Sequence, residues 1–171
     1  MKVLFVCTAN ICRSAYAEVV ARHLAPERLT FTSAGVSAAG AAPMEVLMAA
    51  EAAARGAATA DFRSRRLTMA MVDEADVVLT AEAGHRRLVL EDRPLAMRKT
   101  FTFGQFARGL SAVPEPSSEL LDQVRARAAT STRADDVPDP YLHGPTAAES
   151  AAEQLDELLR LILPALARAS A

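Results

Sequence analysis

The sequence predicts an α/β fold: a three-layer arrangement in which a four-stranded parallel sheet carries helices on both faces. Three observations predict it. Short apolar runs alternate with helix-forming stretches along the chain. No hairpin turn signal joins any two of the runs, so successive strands must be linked by crossovers. The first run, Val3-Leu4-Phe5-Val6, is continuously apolar, the pattern of a strand buried on both faces. At 171 residues the chain has the size of one ordinary domain, here residues 1–171. Crossovers between parallel strands are right-handed, and ligands of such sheets bind beyond the carboxyl ends of the strands.

After the first strand, residues Arg13 to Leu24 favour helix, with Pro26 expected to end it. Thr30-Phe31-Thr32-Ser33-Ala34 reads as the second strand, closed by Gly35. Ser37 to Ala42 is a small-residue loop. Pro43 fits the first turn of a helix that runs to about Arg55 and stops at Gly56. Asp76 to Thr80 is the third strand, Glu82 to Glu91 a helix that breaks before Pro94, and Lys99 to Phe103 the fourth strand. Thr146 to Arg168 is a long amphipathic helix, with Leu155, Leu158, Leu159, Ile162 and Leu166 at helical spacing. Between Gly109 and Asp136 the chain changes character. Pro and Ser residues, one helical stretch (118–129) and a polar run read as a helical insertion at about 110–136 with a flexible connector, within the single domain.

Composition excludes several classes of function. The net charge of -2 and the two lysines leave no basic footprint for nucleic acid. No apolar run approaches the ~20 residues of a membrane helix, and the short apolar N-terminus is interrupted too early for an export signal; a cytoplasmic protein with no membrane partner is expected. The only cysteines, Cys7 and Cys12, lie in one tight loop. A disulfide closing so short a loop would restrain the unfolded chain little, which points to reactive thiols. His23, His85 and His143 are not at zinc-ligand spacing from them, and read as helix-surface or loop residues. No metal and no other cofactor is expected.

The chemistry concentrates in Cys7-Thr8-Ala9-Asn10-Ile11-Cys12-Arg13-Ser14. As a loop entering a helix, this stretch can turn its backbone N–H groups inward to cradle an anion. The helix N-terminus adds partial positive charge. Arg13 adds a planar fork that fits two phosphate oxygens. A thiol in that setting is poised as the thiolate nucleophile, and Ser14, one turn in, can donate to it. Asn10 tolerates the left-handed backbone that a loop curling round an anion needs. The reaction that fits is nucleophilic phosphoryl transfer, with a cysteinyl-phosphate that water then hydrolyses. The leaving group needs an acid from elsewhere. Asp139, held between Pro138 and Pro140 in "DDVPDPYLHGP", is the candidate, and Tyr141 beside it can stack on a substrate ring.

These stretches together resemble a family. "VCTANICRSAYAE" and "VPDPY", with "TSAGV", "RSRRLT" and "ADVVLT" between them, look like the low-molecular-weight protein tyrosine phosphatases. The resemblance implies a small parallel-sheet domain, Cys7 as nucleophile, Arg13 as phosphate binder, Asp139 as general acid and residues Thr8 to Ser14 as the phosphate-binding loop. It also implies reversible, redox-sensitive pairing of Cys12 with Cys7, and a phosphorylated protein as partner, such as the target of a tyrosine kinase. A monomer or weak dimer is expected. The chain departs from the pattern at Ala9, where the family often has Gly, and at Ala15, where it often has Pro. Ala9 restricts the loop if its position requires positive φ. The loop at 37–42 lacks the aromatic that often stands there, and Leu142 replaces a second aromatic. Phosphotyrosine is the substrate read from Ile11, since relatives that act on phosphoarginine typically have Thr at that position. The alternatives are a phosphatase of phosphoarginine or another phosphomonoester, and a weakly active phosphate-loop binding protein. Arsenate reductases that resemble this loop need later cysteines, which this chain lacks.

Overall fold

The structure, a computed structural model, describes residues 1–25 and 27–170. Strands β1 (Lys2–Cys7), β2 (Thr30–Gly35), β3 (Val77–Thr80) and β4 (Thr100–Thr102) form one parallel sheet in the order β2-β1-β3-β4. The chain leaves β1 toward one side for β2 and returns to its other side for β3. The end of β1, at Cys7, is therefore the switch point of the sheet, where the crevice opens.

Among the described residues, seven α-helices surround the sheet: α1 (Arg13–Leu24), α2 (Val46–Ala54), α3 (Met69–Glu74), α4 (Ala83–Asp92), α5 (Phe103–Leu110), α6 (Leu120–Arg127) and α7 (Pro145–Ala169). Alternation along the strands divides the core into two. Val3, Phe5, Phe31, Leu79 and Phe101 face α1, α2, α5, α6 and α7, whereas Leu4, Val6, Ala34 and Val78 face α3, α4 and the 3-10 turn Pro94–Arg98. On the larger side Phe5 stacks between Phe31 and Phe103, with ring centroids 5.8 and 5.4 Å away. The long helix α7 is joined to α1 by Tyr16, whose hydroxyl donates to Asp156 Oδ1 at 2.7 Å. Arg55, at the end of α2, pairs with the same carboxylate. The helix predicted from the spacing of Leu155, Leu159, Ile162 and Leu166 thus buries that stripe, and Leu158 flanks it, partly buried.

Several elements differ from the sequence expectation. The helix expected from Pro43 starts at Val46, because Glu45 caps it: its carboxylate accepts from the N–H groups of Leu47 and Met48 at 2.9 and 3.0 Å. Pro43 stays outside. The fourth strand stops at Thr102 rather than Phe103. The Thr102 hydroxyl accepts from Gln105 N at 3.1 Å, and the Gln105 side chain accepts from Thr102 N at 3.2 Å. This capping box turns the chain directly into α5, a helix that local propensity did not mark. The short α3 was also unexpected; Thr68 caps it. Pro26, expected to end α1, lies outside the described residues.

The segment at 110–136 packs into the larger core through Leu120 and Val124, and Ala128 is buried as well. α6 begins beside Asp73, Asp76, Arg98 and Lys99, at the amino ends of β3 and β4 and thus opposite Cys7. The chain then returns along α5. Gln105 Nε2 donates to Ala128 O at 2.7 Å, and Arg108 pairs with Asp135 at 2.9 Å. The stretch read as a flexible connector is therefore tied down at its far end. Among the described residues no helix is long and apolar enough to cross a membrane.

Gly104 marks where this return meets α5. A Cβ there would lie 2.5 Å from Asp135 Cα and 2.6 Å from its carbonyl oxygen, both backbone atoms that cannot swing aside. Gly104→Ala is expected to lower stability by about 1–3 kcal/mol, read as a lower urea midpoint at unchanged slope; an unchanged midpoint would contradict the tight contact.

Candidate active site

Between the end of β1 and the start of α1 the chain curls through residues 8–12. The carbonyls of Thr8 and Ile11, and that of Cys7 before them, are held from outside. Val36 N donates to Cys7 O at 3.0 Å, Ser37 N to Thr8 O at 2.8 Å and Glu45 N to Ile11 O at 2.9 Å. By contrast, the backbone N–H groups of Thr8, Ala9, Asn10, Ile11 and Cys12 donate to no protein atom among the described residues. Carbonyls bonded outward and amides left free are the arrangement of an anion cradle. Gly35, at the end of β2, lets the loop lie against the sheet: a Cβ there would stand 2.6 Å from Thr8 O and 2.8 Å from Asn10 N.

The turn is made at Asn10, which has φ 56° and is fully buried. Its amide orientation is fixed because Oδ1 accepts from Arg65 N at 2.7 Å. Nδ2 then donates to Ser14 Oγ at 2.9 Å and to Ser33 Oγ at 2.7 Å. The Ser33 hydroxyl in turn donates to Glu18, a buried carboxylate on α1 that also pairs with Arg22 and Arg65. Ser14, having accepted from Asn10, has its hydrogen left to donate to Cys7 Sγ, 2.9 Å away. Ala9 keeps negative φ. The strain considered for an alanine at this position does not arise, and with it goes one motive for reading the loop as a binding module.

Arg13 is 1 % exposed. Nη1 pairs with Glu82 and donates to Val137 O at 2.9 Å. Nη2 lies 2.9 Å from Asp139 Oδ2, and Nε has no protein partner. Nη1 is thus tied to the fold, whereas the Nε–Nη2 edge is held only by Asp139 and a long bond to Thr8 Oγ1. Asp139 arrives by a long route. Val137 N donates to Ala81 O at 2.8 Å and Ala83 N donates to Asp136 Oδ1 at 2.7 Å. These bonds stitch the segment before α7 to the turn after β3. Asp139 Oδ1 also accepts from Tyr141 N at 3.2 Å. Cys7, Thr8, Ala9, Ile11, Cys12, Arg13, Asp139 and Tyr141 line one cleft of about 210 Å³. Every loop residue singled out in the sequence lies in or directly beneath it, with Asn10 and Ser14 buried behind the wall.

Cys7 and Cys12 are both free thiols. Burial pushes the Cys12 thiol up to about 12, helped by the negative charges of Asp139, Cys7 and Glu45 and opposed by Arg13. Three participants were not anticipated. Glu82, just before the first turn of α4, turns its side chain to Arg13; Glu18 underlies Asn10; and His85, expected at a surface, is 5 % exposed with Nε2 2.9 Å from Thr8 Oγ1. None has a local signature. Glu82 and His85 could have been suspected only from their place just after the third strand, at the sheet edge where ligands bind.

Comparison with known proteins agrees with this geometry. The family model for low molecular weight phosphotyrosine protein phosphatase matches residues 2–126. A protein-arginine-phosphatase of Geobacillus stearothermophilus is 32% identical over 126 residues, 73% of this chain and 84% of that protein. The low molecular weight protein-tyrosine-phosphatase Etp of Escherichia coli K12 is 33% identical over 120 residues, 70% of this chain and 80% of that one. Among solved structures, the YwlE arginine phosphatase from G. stearothermophilus superposes with a TM-score of 0.79 at 27% identity, covering 97% of this chain and 92% of its own. Vibrio vulnificus Wzb in complex with benzylphosphonate gives 0.72 at 28% identity, covering 93% and 94%. With its cysteine loop at the switch point of a parallel sheet and its match over most of its length, the chain belongs to the low molecular weight phosphotyrosine protein phosphatase family.

Proposed function

We propose that the protein hydrolyses phosphotyrosine in phosphorylated protein substrates through a cysteinyl-phosphate intermediate. The observation that carries this reading is the free N–H cradle of residues 8–12 closed by the Nε–Nη2 edge of Arg13, with Cys7 beneath and Asp139 above. The phosphoryl group enters the cradle and replaces Asp139 on Arg13. Cys7 Sγ, as thiolate, attacks phosphorus in line; the bond to the ester oxygen breaks, and Asp139 in its protonated form gives that oxygen its proton. Charge on the equatorial oxygens is met by the loop N–H groups and Arg13. Water then attacks phosphorus, the S–P bond breaks, and the Asp139 carboxylate takes the proton from the water. Sγ leaves as thiolate, with the Ser14 hydroxyl as donor.

The choice of tyrosine rests on the cleft walls. Ile11 presents a branched apolar side chain and Tyr141, 46 % exposed, an aromatic face. Ile11 has no hydroxyl to offer a guanidino group a hydrogen bond. The second reading is phosphoarginine, favoured by the arginine phosphatase of G. stearothermophilus among the relatives and by the carboxylates of Glu82 and Asp139 around Arg13.

Phosphate release from a phosphotyrosyl peptide, run beside a phosphoarginyl peptide, separates the two. Release from the tyrosyl peptide is expected to fall by roughly 10³-fold or more in Cys7→Ser. Turnover surviving in that variant would remove Cys7 as nucleophile, and faster release from the arginyl peptide would put the second reading first. Asp139→Asn is expected to cost roughly 10²-fold or more on an alkyl phosphate and far less on p-nitrophenyl phosphate, whose leaving group needs no proton; equal losses on both would argue against the acid role. With Cys12 kept as the thiol at neutral pH, iodoacetate at pH 7.5 should alkylate Cys7 alone, as read by peptide mass mapping, and phosphate should protect it. Labelling of Cys12 at a comparable rate would overturn that assignment.

A further inference from the structure

His85 is a buried titratable group beside the cleft for which the reaction above has no use. It sits in the first turn of α4, 5 % exposed, and its Nε2 lies 2.9 Å from Thr8 Oγ1. Its Nδ1 has no protein partner. Thr8 is the residue after Cys7, exposed to the cleft it lines with Arg13 and Asp139. Its hydroxyl also accepts a long hydrogen bond, 3.4 Å, from Arg13 Nη2.

The donors can be counted. A hydroxyl has one hydrogen and two lone pairs. If His85 carried its proton on Nδ1, a buried N–H would be left without an acceptor, which is rarer and costlier in proteins than a bare acceptor. The favoured tautomer therefore has its hydrogen on Nε2 and donates to Thr8. With lone pairs taken by His85 and Arg13, Thr8 has its own hydrogen left, and the cleft is where it can go. Burial disfavours a second proton on the ring, and Arg13 opposes one as well; the carboxylates of Glu82, Asp139 and Asp136 work the other way.

We infer that the Thr8 hydroxyl is a substrate-binding donor to a phosphoryl oxygen, aimed by His85 as a positioning residue. This rests on the phosphatase reading of the cleft and adds to it a side-chain donor beyond the backbone cradle and Arg13. It also gives His85 a role without contact to the substrate: neutral imidazole sets the direction of one O–H bond.

The test measures dissociation of inorganic phosphate and of vanadate, with turnover of p-nitrophenyl phosphate, in wild type and variants. Thr8→Val, nearly isosteric, is expected to weaken phosphate binding roughly 10-fold, and Thr8→Ser to recover most of the loss. His85→Leu should lose a similar factor and His85→Gln, which keeps an N–H donor, should recover part of it. The double variant Thr8→Val/His85→Leu should be no weaker than Thr8→Val alone, because His85 acts through Thr8. Unchanged phosphate affinity in Thr8→Val overturns the inference. Losses that add in full overturn the positioning role. Should His85→Leu fail to fold, the ring ¹⁵N shifts of the wild-type protein decide: a hydrogen on Nε2 supports the inference and one on Nδ1 overturns it. A wild type that neither binds phosphate nor turns over substrate overturns the phosphatase reading and this inference together, whereas full turnover with an unaffected Thr8→Val overturns the inference alone.

Discussion

One fully buried asparagine in left-handed backbone holds the site together. Asn10 bends the chain so that the loop amides face one point, and its side chain makes that bend permanent through Arg65 N, Ser14 and Ser33. The conformation is costly for most residues and tolerable for asparagine. Its amide has one acceptor and two donor sites, and the neighbours use all three. Through Ser14 the network reaches the sulfur of Cys7; through Ser33 it ends on Glu18, which is itself neutralised by two arginines from the surface. A loop of free N–H groups would repel itself and collapse toward its own carbonyls unless those carbonyls were bonded elsewhere. The segments after β2 and before α2 do that from outside.

Charge is arranged around Arg13 on the same principle. A guanidinium this buried needs compensation, and it receives two carboxylates that are held differently. Glu82, just before α4, shares Nη1 with a backbone carbonyl and belongs to the frame. Asp139, with its side chain 42 % exposed and on a loop between prolines, holds Nη2. An arriving anion has only the second to displace. The division of labour follows from topology, since Glu82 follows a central strand directly, whereas Asp139 is tied to the sheet edge by Val137 and Asp136 a few residues earlier.

How much was legible in the sequence varied with how local the cause was. α1 begins and ends at the residues that composition marks, and β1 reads from four apolar letters because a central parallel strand is buried on both faces. Boundaries set by a side-chain cap were misplaced: Glu45 moved the start of α2, and Thr102 with Gln105 turned the end of β4 into the start of α5. Each cap is a hydrogen-bond pattern spanning four residues that competes with a stronger apparent signal, a proline in one case and a β-branched, aromatic run in the other. His85 was misread for a different reason. A histidine followed by two arginines looks solvated, and only the packing of α4 against the loop after β1 buries it.

The sequence by itself determined the parallel sheet, the loop between strand and helix, and the chemistry of a thiol, an arginine and a cradle, because these depend on neighbours within about a dozen residues. Tertiary structure alone decided that Glu82 joins Asp139 at Arg13, that Ala9 is unstrained, and that Thr8 meets a buried histidine. Glu82 and His85 are 69 and 77 residues from their partners. The contacts exist because a right-handed parallel crossover brings β3 beside β1, and no periodicity along the chain records which side chains then meet at its end.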